Sequence, residues 1–370
     1  MNPIFSIILF SSALICGIAA SQVLYLESHR GWLYFLVDTL LAYIMMEVGL
    51  EFKINKKKWR SYLVDYGVAS LAAGLPWIFC FLYFLYFGSN RWEENLLLAR
   101  FAAPTATGIL FTMLGLAGLG ATWLFKKIEV LVILDDLDTV LFLIPIQLLL
   151  SGGRLELISV ALVMILLIVV GWRYMHSLKL PASRPWLFCY AIIIGAIAEW
   201  LDIYYNLEVE VILPAFILGL VLYTSNTEKQ SHRHEHLFIE PEQKYGIITD
   251  RIIKLVFMFL VGLLLPKITI DFQSSVTLGL HILAITFLMC LGKFAPAFFY
   301  KKQASFRERI AVSIGMMPRG EMGAGILTIA LAHGIKDTMA QVASLSYAVN
   351  LFLTGFFIWI VMKLLQPAKR

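Results

Sequence analysis

"VLVILDDLDTVLFLIP", residues 130–145, sets Asp135, Asp136 and Asp138 inside a run of Val, Leu, Ile and Phe. The rest of the chain decides which solvent this segment is built for. Hydrophobic residues make up 60% of the 370 and charged residues 15%, with a mean hydropathy of +0.80. Soluble domains carry about 25% charged residues, so this chain is built for lipid. In a bilayer an ionised Asp near a helix centre costs about 2.5–3.5 kcal/mol on insertion scales. Three of them need compensation close by.

Outward from this segment, apolar runs of membrane-crossing length mark about twelve helical spans. They fall near 4–25, 31–50, 61–87, 95–117, 127–150, 155–177, 185–204, 208–224, 249–266, 275–299, 306–334 and 338–364. The expected fold class is an all-α polytopic membrane protein. Of the 30 Lys and Arg, 21 fall in the termini and alternate loops of one side and five in the loops of the other. The positive-inside rule then puts both termini in the cytoplasm, with the chain multi-pass in the cell's inner (plasma) membrane. The net charge of +5 sits in these loops. No basic face with interleaved aromatics marks a nucleic-acid partner, and no cofactor is expected.

Cys16, Cys80, Cys189 and Cys290 all lie in apolar runs with no CxxC spacing, and read as small buried hydrophobes. The opening "MNPIFSIILFSSALICGIAA" reads as a retained first span. Residues 224–251, with His232, His234 and His236, read as a solvated cytoplasmic loop, with metal binding or pH sensing as the alternative.

Asp135 and Asp136 are helix neighbours and point about 100° apart, while Asp138 returns toward the face of Asp135. A carboxylate takes up a proton, and it is also a hard oxygen ligand for a small cation. One group can hold either but not both, which is the minimum chemistry for exchange. A structural salt-bridge cluster is the other reading. Lys293, in "LHILAITFLMCLGKFAPAFFY" (280–300), offers a counter-charge for Asp135 or Asp136 unless it reaches the interface.

Two spans are interrupted. "MMPRGEMGAG" (316–325) carries Pro318, Gly320, Gly323 and Gly325 with Arg319 and Glu321. "RFAAPTATGILF" (100–111) carries Pro104, Thr105, Thr107 and Gly108. Broken helices expose dipole ends and free carbonyls at membrane depth, although either break alone could be a proline kink. Spans 3–5 and 10–12 form matching triplets with the break in the middle and start on opposite sides of the membrane. Inverted repeats with two crossed discontinuous helices are a secondary-transporter signature.

The chain resembles the bacterial monovalent cation:proton antiporter family, in the branch of sodium/proton and Kef-type potassium/proton exchangers. The likeness is carried by "MMEVGLEFKINKKKW" (45–59), "ILDDLD" (133–138), "PAFILGLVL" (214–222), "VFMFLVGLLL" (256–265) and "MMPRGEMGAG" (316–325), in order along nearly the whole chain. The resemblance implies the sodium/proton antiporter fold. It implies Asp136 as the principal carrier of cation and proton, and Asp135 as its partner, paired with Lys293 when no ion is bound. Both would ligate the sodium ion. Asp138 joins them as a candidate cation- and proton-binding group. Thr105 and Thr107 would line the first break, and Arg319 and Glu321 the second.

It also implies a homodimer. Residues 1–60 and 151–270 would form the dimerisation domain and linker helix, and 61–150 and 271–370 the two halves of a moving core. Asp138, Thr139 and Glu47 depart from the family's usual residues. Relatives often carry a thirteenth helix or a cytoplasmic regulatory domain; neither is visible, so nucleotide or glutathione gating is not expected.

The leading expectation is antiport of sodium or lithium against protons by alternating access. Potassium/proton antiport on the same scaffold is the nearest alternative, and a gated cation channel the next. An organic-anion symporter would want cationic or neutral substrate ligands in place of three acids.

Overall fold

A computed structural model describes residues 3–24, 30–51, 59–88, 90–106, 122–150, 180–205, 211–222, 241–264, 272–335 and 337–365, with isolated positions between 166 and 174. Among these residues there are twelve α-helices and no strand. They are α1 (Pro3–Val23), α2 (Arg30–Glu51), α3 (Trp59–Phe87), α4 (Trp92–Ala99), α5 (Trp123–Leu150), α6 (Arg184–Tyr205), α7 (Ile212–Val221), α8 (Pro241–Leu264), α9 (Phe272–Gly292), α10 (Phe306–Gly315), α11 (Glu321–Ala332) and α12 (Thr338–Leu365). Among the described residues, five segments are long and apolar enough to cross a membrane: Gly31–Leu50, Leu63–Phe87, Arg184–Leu201, Val276–Phe298 and Thr338–Leu365. On α9, Val276, Leu280, Leu283, Phe287 and Leu291 are exposed at helical spacing. An apolar outer stripe over a polar interior is how a helix bundle meets lipid.

The chain divides into two compact units. The first comprises Met1–Tyr25, Asn55–Leu143 and Val261–Arg370; the second comprises Leu26–Ile54 and Ile144–Leu260. In the first unit α3 packs on α9, and α12 packs on α1, α9 and α10. The expected division places residues 1–60 together, but α1 groups with the first unit. Gly262 gives the reason. A side chain there would strike the α1 backbone, with its Cβ 2.9 Å from the Ile18 nitrogen, so the bare backbone lets α1 close in. In the second unit α2 packs on α6 and α7. Gly49 and Gly219 bring α2 and α7 together backbone to backbone, since a Cβ on Gly49 would lie 2.8 Å from the Leu220 nitrogen.

Both expected interruptions occur in the first unit. After α4 the chain tightens into a 3-10 turn, Arg100–Ala102, and then leaves helical form through Pro104 to Ala106. Pro104 has no N–H to continue a helix. The second interruption runs from Met316 to Gly320, between α10 and α11. Pro318 likewise cannot donate, and Gly320 enters α11 in an extended conformation. Thr107 and Gly108 lie outside the described residues, as do His232, His234 and His236.

Candidate functional site

The two interruptions cross and bond to each other. The Ala106 N–H donates to the Pro318 carbonyl at 2.8 Å. The Thr105 hydroxyl reaches the Met316 carbonyl at 3.0 Å. Arg319 donates back across the crossing, through Nη1 to the carbonyls of Ala103 (3.2 Å) and Pro104 (2.8 Å) and through Nη2 to that of Met289 (3.2 Å). Tyr347 on α12 donates its hydroxyl proton to the Gly320 carbonyl. These backbone groups freed by the breaks are thus satisfied inside the protein, as a bilayer requires. Arg319 closes the second break against the carbonyls of the first. Glu321 opens α11 at the end of that break.

Asp135 of α5 faces this crossing and is fully buried. Lys293, in the turn after α9, is also fully buried. Its Nζ lies 3.0 Å from Asp135 Oδ2 and 3.2 Å from Oδ1. The same ammonium donates to the Ala103 carbonyl at 2.6 Å. Thr105 Oγ1 lies 2.7 Å from Asp135 Oδ2. A hydroxyl carries one proton, so Thr105 shares it between Asp135 and Met316. Thr139 donates to the Asp135 backbone carbonyl at 2.9 Å, within α5. Asp136 is buried beside this group at 2% exposure and interacts electrostatically with Lys293.

The ammonium therefore rests on a carboxylate and a carbonyl released by a helix break. Both are hard oxygen donors of the kind an alkali cation takes. A monovalent cation could replace the lysine there with no change of charge. No cluster of three or more His, Cys, Asp or Glu gathers as a metal site among the described residues.

Asp138 has other partners. The sequence places it on the face of Asp135, yet three residues turn a helix by about 300°, not a full circle. Its carboxylate takes Arg100 Nη2 at 3.3 Å, Ser70 Oγ at 3.0 Å and Tyr66 OH at 3.3 Å. Arg100 was not among the sequence candidates. Two signals pointed to it: a lone Arg at the head of a broken span, and a third acid in need of compensation. Glu47 lies half-buried on α2, in the second unit.

The family model described as "Sodium/hydrogen exchanger, transmembrane" matches residues 4–364. No curated protein sequence matches the chain. Among solved structures, the chain is similar to the sodium proton antiporter MjNhaP1 from Methanocaldococcus jannaschii, with a TM-score of 0.60 at 12% identity. That likeness covers 96% of this chain and 92% of the other. It shows a common fold.

Proposed function

The chain belongs to the sodium/hydrogen exchanger family, and from that premise we propose that it exchanges sodium or lithium for protons across the membrane by alternating access. It is a transporter of the cation/proton antiport class with the sodium/proton antiporter fold. Asp136 and Asp135 hold cation and proton in competition. Lys293 occupies Asp135 when no ion is bound and withdraws when a cation or proton arrives. Thr105 and the Ala103 carbonyl supply neutral oxygens. The first unit carries the site and moves; the second takes the dimerisation role in a homodimer. Both termini are cytoplasmic, in the inner membrane.

The observation that carries this reading is the seat of Lys293. Its ammonium sits within 3.0 Å of the Asp135 carboxylate and 2.6 Å of the Ala103 carbonyl, at the crossing of two helix breaks. A fully buried ion pair at a break in a membrane helix is expensive to build. It becomes useful when an exchangeable cation of the same charge can take the lysine's place.

Proteoliposomes loaded with a pH dye test the reading. A proton gradient is imposed, and sodium or lithium is added outside. Dye recovery is expected in the wild type and is abolished in Asp136→Asn. Undiminished recovery in that variant refutes the assignment of Asp136. Recovery with potassium and none with sodium moves the substrate to potassium. Cation flux that moves no protons indicates a channel.

A further inference from the structure

Asp138 and Arg100 have no part in that exchange scheme, yet both are buried, at 1% and 0% exposure. Arg100 begins the 3-10 turn of the first helix break, three residues before Ala103 and five before Thr105. Its Nη2 makes two contacts with one residue: the Asp138 carboxylate at 3.3 Å and the Asp138 backbone carbonyl at 2.8 Å. The guanidinium lies over the rings of Trp77 at 4.4 Å and Phe142 at 5.2 Å. Among the described residues its Nε and Nη1 make no hydrogen bond. Ser70 and Tyr66 of α3 fill the other carboxylate oxygen. Asp138 therefore ties three elements together: α3, α5 and the end of α4.

The pair differs from a transport site in its chemistry. An arginine does not give up its proton in a protein, and this one is fully buried against the packed pair of rings Trp77 and Phe142, whose centroids lie 5.6 Å apart. Releasing Asp138 to a cation or a proton would leave the Arg100 charge buried and unpaired, which is strongly unfavourable. Its location, however, couples it to the exchange site. Asp138 lies about one helical turn from Asp135 on the same helix, α5. Arg100 sits in the same short segment as Ala103 and Thr105, and its charge interacts with that of Asp135.

We propose that Arg100 and Asp138 form a positioning pair: they hold α5 at a fixed register against the first helix break, so that Asp135, Thr105 and the Ala103 carbonyl present one oxygen set to the cation, while Asp138 itself carries neither cation nor proton. This rests on the exchange scheme above and extends it to the affinity for the cation.

The test uses full-length protein in proteoliposomes, with sodium titration and measured protons per sodium, for Asp138→Asn, Arg100→Leu, Arg100→Lys and the double variant Arg100→Leu/Asp138→Leu. Each single neutralisation is expected to raise the sodium KM about tenfold, equivalent to about 1.4 kcal/mol. The double variant leaves no stranded charge, so it is expected to regain part of that loss, with maximal rate within about twofold and protons per sodium unchanged. Arg100→Lys keeps the charge but lacks the planar guanidinium. It is expected to keep the maximal rate and raise KM less than Arg100→Leu.

A changed proton count in the folded double variant overturns the proposal, because Asp138 would then be a carrier. Wild-type KM in Asp138→Asn overturns it as well. If the double variant does not fold, the lysine variant decides, and an unchanged KM there overturns the proposal. Asp136→Asn is run in parallel: retained exchange in that variant would sink the parent scheme, whatever the Arg100 series shows.

Discussion

Two buried ion pairs sit one turn apart on α5, and they differ in the cation. Asp135 meets a lysine, Asp138 an arginine. Lys293 is a compact point charge whose described contacts are one carboxylate and one carbonyl. Its flexible stem can carry it away, and it can lose its proton. Arg100 is a planar, permanently charged group packed against two rings. A buried acid in a membrane helix is thus not a transport site by virtue of burial alone. On the proposed scheme, what the partner can release decides. The same logic divides the two arginines of the crossing from the lysine, for Arg319 also spends its donors on backbone carbonyls.

The largest expected effect on this comparison comes from Lys293→Ala. It strands Asp135 in a fully buried position, and breaking a buried pair by removing one partner costs about 3–5 kcal/mol. A marked fall in melting temperature is expected. Sodium should then stabilise the variant more than the wild type, because the ion no longer competes with the ammonium for Asp135. Thermal melts of detergent-solubilised protein with and without sodium measure this. Equal sodium-induced shifts in the two proteins would mean that Lys293 and the cation do not compete.

A smaller but still clear effect is expected from Gly320→Ala, which leaves all charges in place. An added Cβ would lie 2.7 Å from the Ala106 Cα and 2.8 Å from its Cβ, and neither backbone has a flexible end to yield. The two breaks must part, at a cost of about 1–3 kcal/mol by the usual scale of overpacking. Thr105 and the Ala103 carbonyl would move with them, so sodium KM should rise along with the loss of stability. Sodium titration of dye recovery, beside a thermal melt, checks both. Lost stability with an unchanged KM would show that the oxygen set does not depend on the crossing.

Much of this was legible in the sequence, for reasons that differ by feature. The breaks at 100–111 and 316–325 could be placed because Pro104, Pro318 and Gly320 act locally, through a missing donor or a missing side chain. The need to compensate three acids could be read because desolvation of charge depends on composition and depth alone. Which cation serves which acid depends on a long-range meeting. Arg100 and Asp138 are 38 residues apart, and Lys293 and Asp135 are 158 apart. Helical spacing suggested that Asp138 would join Asp135; the shortfall of about 60° in three residues carried it toward α3 and α4 instead. The grouping of α1 with the first unit was invisible for a like reason, since it depends on Gly262 meeting Leu14 and Ile18.

A third pair sets the lower bound of the comparison. Lys127, near the start of α5, contacts Asp65 of α3 at 3.0 and 3.1 Å, with side chains 14% and 6% exposed. Tyr300 donates to Asp65 at 2.7 Å, and the Lys127 ammonium lies 4.6 Å from the centre of its ring. Burial, and then the hydrogen bond and charge of Asp65, hold the Tyr300 phenol above its ordinary range. It therefore stays a donor at neutral pH. Asp65→Asn keeps an oxygen for that donor and loses only the charge. Lys127 retains its neighbouring ring and a route toward solvent. The expected loss is about 1.5 kcal/mol, the low end for a hydrogen bond to a charged group. Eight residues of α5, about 12 Å, separate this pair from Asp135, so sodium KM should stay within about twofold. A KM raised as far as in Arg100→Leu would mean that any cation–acid link on α5 tunes the site. The special place of the Arg100 pair, next to the oxygens of the first break, would then be lost.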